Sequence, residues 1–189
     1  MPFAGQNLAG EEVIARAAEW ARAGVCSPDV CNALEKIRRR HGNSTPWDLS
    51  SLYIVCLGAS SEMGPLEYLI ARGANIIAVD RPGQPGVWER LIQVALDSPG
   101  TLTLPVARST LPDGAASLNG ASPVKDIAAA AGCDLLLHTP EIAAWLAELF
   151  PGQTLCVGSY TYLDSDLFVR INVACDVSCT VCPQLFALN

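Results

Sequence analysis

The chain has 189 residues, half of them hydrophobic and 16% charged, with a formal net charge of −7. This composition supports one domain with a sizeable core, plus an extension, and excludes an intrinsically disordered chain. The acidic balance excludes a nucleic-acid surface, which needs clustered basic residues.

In chain order, GEEVIARAAEWARA (residues 10–23) places apolar residues at helical spacing behind two acids, so a first helix is expected there. Ser27-Pro28 opens a second helix, with serine as cap and proline in the first turn, running to about His41-Gly42. The Arg38-Arg39-Arg40 run falls at its end, where cations complement the helix dipole. HGNSTPWD is a turn-rich link. Residues 1–46 therefore read as a helical extension and 47–189 as the main unit.

From residue 51 onward, strands and helices alternate. SLYIVCL is a first strand, and PLEYLIAR after the GASSEMG loop is a helix stopped by Gly73. ANIIAVD is a second strand, VWERLIQVALD a helix and TLTLPV a third strand. Residues 107–122 form a long small-residue loop. A helix capped by Ser122-Pro123 runs to Ala131, and CDLLLH (133–138) reads as a fourth strand. Thr139 starts another helix, to Phe150. QTLCVGSY is a fifth strand, and LFVRINVAC reads as a sixth followed by a thiol-rich tail. Fully apolar strands between helices predict a doubly wound, mainly parallel α/β sheet.

The GASSEMG loop joins the first strand to its helix, and such a junction can hold a phosphate against backbone N–H groups and a helix start. Gly58 supplies the tight turn, Gly64 allows close helix–strand contact, and Ser60 and Ser61 offer hydroxyls to phosphate oxygens. Asp80 ends the second strand 22 residues after Gly58, where an acid binds the adenosine ribose hydroxyls of a dinucleotide. These features predict a Rossmann-like unit that binds NAD. Arg81, next to that acid, also makes NADP compatible. Glu62 stands where a middle glycine is usual and brings a carboxylate near the phosphate position.

GASSEMG resembles the nucleotide loop of short-chain dehydrogenases/reductases, commonly T-G-x-x-x-G-x-G and often G-A-S-S-G-I-G. The resemblance covers about residues 50–160 and is specific only in the first βαβ unit. In place of that family's N-N-A-G-like segment stands CDLLLHTPE. The family's Tyr-x-x-x-Lys pair is absent: the only lysines are Lys36 and Lys125, and Tyr160 and Tyr162 are followed four residues on by Asp164 and Asp166. The catalytic candidates left at strand ends are His138, which titrates near neutrality, and Tyr160, with Glu141 and Tyr162 beside them.

Cys175, Cys179 and Cys182 have a C-x3-C-x2-C spacing similar to the cluster motif of radical S-adenosylmethionine enzymes. That family places the motif before a large barrel, and no fourth ligand for zinc is nearby, so no metal site is expected. The other thiols suit a reducing, intracellular compartment. No apolar stretch approaches the ~20 residues of a membrane span, and no secretory signal pattern is present. The apolar C-terminal region suggests contact with a protein partner or a second copy.

The combination points to an NAD(P)-binding protein without the usual catalytic pair, a non-catalytic or partial subunit of a larger assembly. The alternatives are an active NAD-dependent short-chain oxidoreductase using His138 or a partner's residue, and an S-adenosylmethionine-dependent methyltransferase, whose usual G-x-G-x-G loop is not matched.

Overall fold

The structure, a computed structural model, describes residues 1–41, 47–106, 124–181 and 185–187. The loop expected over 107–122, the Ser122-Pro123 cap and Cys182 lie outside those residues. The chain divides into two compact units, Met1–Trp47 and Asp48–Asn189.

The first unit opens with a two-stranded antiparallel ribbon, β1 (Pro2–Phe3) and β2 (Gln6–Asn7), which the sequence pattern did not suggest. Two helices follow, α1 (Glu11–Arg22) and α2 (Pro28–His41). Phe3 meets Trp20 edge-on at 5.4 Å between ring centroids, and the Arg16 guanidinium lies 4.6 Å from the Phe3 ring centroid. Arg38 bridges the two helices through Glu11 at 3.0 Å.

The second unit is an α/β fold. Its elements are β3 (Tyr53–Leu57), α3 (Leu66–Ile70), β4 (Asn75–Val79), α4 (Pro85–Leu96), β5 (Thr101–Thr103), α5 (Val124–Ala130), α6 (Thr139–Glu148), β6 (Leu155–Ser159), α7 (Asp166–Val181) and β7 (Leu185–Ala187). The sheet order is β5-β4-β3-β6-β7, and every pairing within it is parallel. The first strand made is thus central, with the chain stepping outward on one side and then crossing to the other.

Strand residues alternate between two apolar clusters, as the pleat requires. Ile54, Cys56, Ile76 and Ala78 pack with Leu66 and Ile70 of α3, Trp88, Leu91 and Ile92 of α4, and Ile127 and Ala128 of α5. Val55, Leu57, Ile77 and Val79 pack with Ile142 and Leu146 of α6 and with Ile171, Ala174 and Cys175 of α7. Helices cover both faces, which is why these strands are apolar throughout rather than alternating.

Two expected strands are not strands. CDLLLH forms a turn: the Asp134 side-chain Oδ1 accepts the Leu136 N–H at 2.8 Å, and the Asp134 carbonyl accepts the N–H groups of Leu137 and His138. An aspartate that bonds the backbone two residues on favours a turn over a ladder. Only Leu135 of the three leucines is fully buried, and Leu137 is 71% exposed. LFVRINVAC lies in helix α7. Its buried residues Ile171, Ala174, Cys175 and Ser178 recur at helical spacing, and the fifth strand of the sheet is instead β7, in the stretch read as a tail. Among the described residues, no helix is long and apolar enough to cross a membrane.

Candidate functional site

In an open parallel sheet, ligands sit outside the carboxyl ends of the strands, where successive connections diverge to opposite sides. Here that point lies between β3 and β6. A cavity of about 350 Å³ opens there, within the range of small-molecule sites.

The loop after β3 is folded onto the end of β4. Gly58, at φ +83°, turns the chain back so that its N–H and that of Ala59 both donate to the Val79 carbonyl, at 2.9 and 3.2 Å. The Ser60 N–H donates to Asp80 Oδ2 at 2.6 Å. Ser61 N–H donates to the Gly58 carbonyl and Gly64 N–H to the Ser61 carbonyl, at 3.1 and 2.9 Å. The tip of the loop, Glu62 and Met63, is exposed. It does not line the cavity, so the Glu62 carboxylate stands outside it.

Asp80 follows β4 and faces the cavity. Each of its carboxylate oxygens accepts one backbone N–H, from Ser60 at 2.6 Å and from Arg81 at 2.8 Å. A carboxylate has about four lone-pair sites, so both oxygens can still accept a hydroxyl. The peptide groups around it are fixed as well. The Asp80 carbonyl accepts the Cys133 N–H at 2.9 Å, and the Arg81 carbonyl accepts the Trp88 indole N–H at 3.1 Å. Gly132 passes so close that a Cβ there would stand 2.7 Å from the Arg81 carbonyl oxygen.

The opposite wall comes from the chain leaving β6. The Tyr160 N–H donates to the Leu57 carbonyl at 2.7 Å, bringing that backbone against Gly58, where a Cβ would be 2.9 Å from the Tyr160 carbonyl carbon. The Tyr160 ring folds back over β6, in the space left by Gly158, and its Cγ lies 3.7 Å from where a Cβ of Gly64 would be. Burial, with the Cys56 side chain beside it, raises the pKa of the Tyr160 phenol, so it stays protonated at neutral pH. Ser159 Oγ, Thr161 Oγ1 and Cys175 Sγ form a small network, 3.1 Å between the hydroxyls and 3.3 Å from Ser159 to the thiol. This network ties the end of β6 to α7.

The cavity brings together Gly58, Ser60, Ser61, Asp80, Arg81 and Tyr160. Gly64 lies beneath the Tyr160 ring without lining the cavity. His138 and Glu141 are exposed at the start of α6 and do not line it either. Tyr162 is at the mouth, 78% exposed, and its hydroxyl donates to Asp164 Oδ1 at 3.2 Å.

Several lining residues escaped the sequence reading: Cys133, Asp134, Leu135 and Leu136 of the turn, Thr161 and Leu163 after β6, and Leu167 and Ile171 of α7. Only the Asp134 turn signal could have been noticed beforehand. Burial, with Asp134 and Asp80 nearby, pushes the Cys133 thiol up to about 12. It is therefore a protonated, unreactive wall group at neutral pH. Among the described residues no group of three or more His, Cys, Asp or Glu side chains is placed to hold a metal ion. No protein-family model, curated protein or solved structure matches the chain.

Proposed function

We propose that the chain is a Rossmann-like module that binds an adenosine-containing cofactor through the ribose and does not itself reduce carbonyls, acting as a non-catalytic subunit of a larger assembly. The observation that carries this reading is Asp80. Its carboxylate is oriented by two backbone N–H groups at the carboxyl end of β4, on the rim of a cavity at the point where the strand order reverses. A third-second-first-fourth-fifth strand order supports the Rossmann-like assignment. NAD(H) is the cofactor to which the loop sequence points, and Asp80 favours it over NADP(H) because a carboxylate repels a 2′-phosphate. The absence of a tyrosine–lysine pair supports a binding role.

The Asp80 carboxylate has acceptor capacity left for ribose hydroxyls, whereas the amides of Gly58, Ala59, Ser60, Ser61 and Gly64 are already bonded within the protein. That favours a second reading, a cofactor such as S-adenosylmethionine, which carries the same ribose and no phosphate.

Isothermal titration with adenosine, 2′-deoxyadenosine and 3′-deoxyadenosine tests what the two readings share. Loss of one hydrogen bond to a charged acceptor is worth about 1.5–3 kcal/mol, so each deoxy compound should bind roughly tenfold or more weakly. Equal affinity for all three compounds removes Asp80 from the site.

A further inference from the structure

We infer that the cavity takes an adenosyl compound without phosphates, neutral or cationic at its 5′ end, and that the glycine loop is shaped to receive the protein's own β4 and β6 ends. The inference rests on the adenosine-site reading above and narrows it to a ligand class.

An anion cradle needs several backbone N–H groups without partners, aimed at one point, and gains from a helix N-terminus behind them. This loop offers little of either: its unpartnered amides, those of Glu62 and Met63, stand at the exposed tip and do not line the cavity. The amides of Gly58, Ala59, Ser60, Ser61 and Gly64 each donate to a protein oxygen. The helix that follows has five residues, too short to build an appreciable dipole. Both glycines have another explanation: Gly58 makes room for the Tyr160 and Thr161 backbone, and Gly64 lies under the Tyr160 ring.

Charge points the same way. Asp80 and Asp134 both line the cavity, and Arg81, whose side chain is exposed, is the one cation among its lining residues. The Asp80 oxygen that holds the Ser60 amide occupies, with its negative charge, the place where that amide would otherwise meet a phosphate. Two like charges in a partly enclosed site disfavour each other strongly. A sulfonium or amine at the 5′ position would instead be attracted.

Titration calorimetry of the full chain at low salt with adenosine, S-adenosylmethionine, ADP and NAD tests this. S-adenosylmethionine should bind at least as tightly as adenosine, and ADP and NAD about tenfold or more weakly than adenosine. ADP or NAD binding more tightly than adenosine overturns the inference while leaving the adenosine site standing. If adenosine does not bind at all, the site reading fails and this inference with it. Asp134→Asn keeps an oxygen for the Leu136 N–H and removes a charge, so the adenosine-over-ADP preference should shrink about threefold to fivefold. An unchanged preference, with an unchanged melting temperature, overturns the electrostatic part of the argument.

Discussion

Tyr160 is enclosed by positions where a side chain has been left out. A Cβ on Gly158 would stand 2.6 Å from the tyrosine Cζ and 2.7 Å from Cε2, distances that real contacts do not reach. Gly158 does not adopt a positive φ, so an alanine there meets a steric obstacle and no backbone strain. Gly158→Ala should therefore destabilise the fold by about 1–3 kcal/mol, the usual cost of overpacking, read as a lower urea midpoint. Tyr160→Ala in the same chain should recover part of that loss, because the two positions share one volume and their effects cannot add. Additive losses would show that the ring does not occupy the space over Gly158. At this scale the sequence was legible in where Asp80 stands, at the end of β4 and lining the cavity. It was opaque where a residue acts by being small for a partner a hundred positions away, as Gly58 does for Tyr160.

Helix α7 shows why short apolar runs mislead. LFVRINVAC is rich in β-branched and aromatic residues, and a run of that length fits a buried strand as well as a helix. The distinction lies in which positions share a face. A strand would align Ile171, Val173 and Cys175, whereas the helix buries Ile171, Ala174, Cys175 and Ser178 and leaves Val173 55% exposed. Ala174→Asp places a charge in the cluster between α7 and the sheet and should cost about 3 kcal/mol or more. Val173→Asp, one residue earlier, should cost no more than about 1 kcal/mol. Chemical denaturation of the two variants measures this contrast, and the reverse order would restore the strand. The error at CDLLLH had a different source. Asp134 turns the chain by bonding the Leu136 amide, a local interaction that outweighs three leucines in a row. The strands β3, β4, β5 and β6 were legible because glycine, proline or an acid marks their ends, and β3 and β4 also because burial on both faces makes nearly every position apolar.

At the scale of the whole molecule, the alternation of strands and helices was readable, but the strand order was not, since parallel pairing is settled by distant segments meeting. The same scale bears on activity. The cavity is lined by Tyr160, whose phenol pKa is raised rather than lowered, and by Tyr162 at its mouth, with no lysine or histidine among its lining residues; a tuned proton donor is typically worth about 10²–10⁴-fold in rate. The isolated chain should therefore leave nicotinamide absorbance flat with NADH or NADPH across a panel of aldehydes and ketones. Turnover that Tyr160→Phe abolishes would make the tyrosine a catalytic acid and overturn the binding-only role. The strand order also has a consequence for how the protein is made. Tyr53 in the central strand pairs with Leu155, about a hundred residues further along. At roughly 5–20 residues per second, a ribosome needs about 5–20 s to supply that partner. During that interval β3 and β4 can pair and collect α3 and α4, yet the far edge of Tyr53–Leu57 stays open, apolar on both faces. The earliest strand of this sheet to emerge is thus among the last to have both edges paired, and synthesis leaves it open to other chains in the meantime.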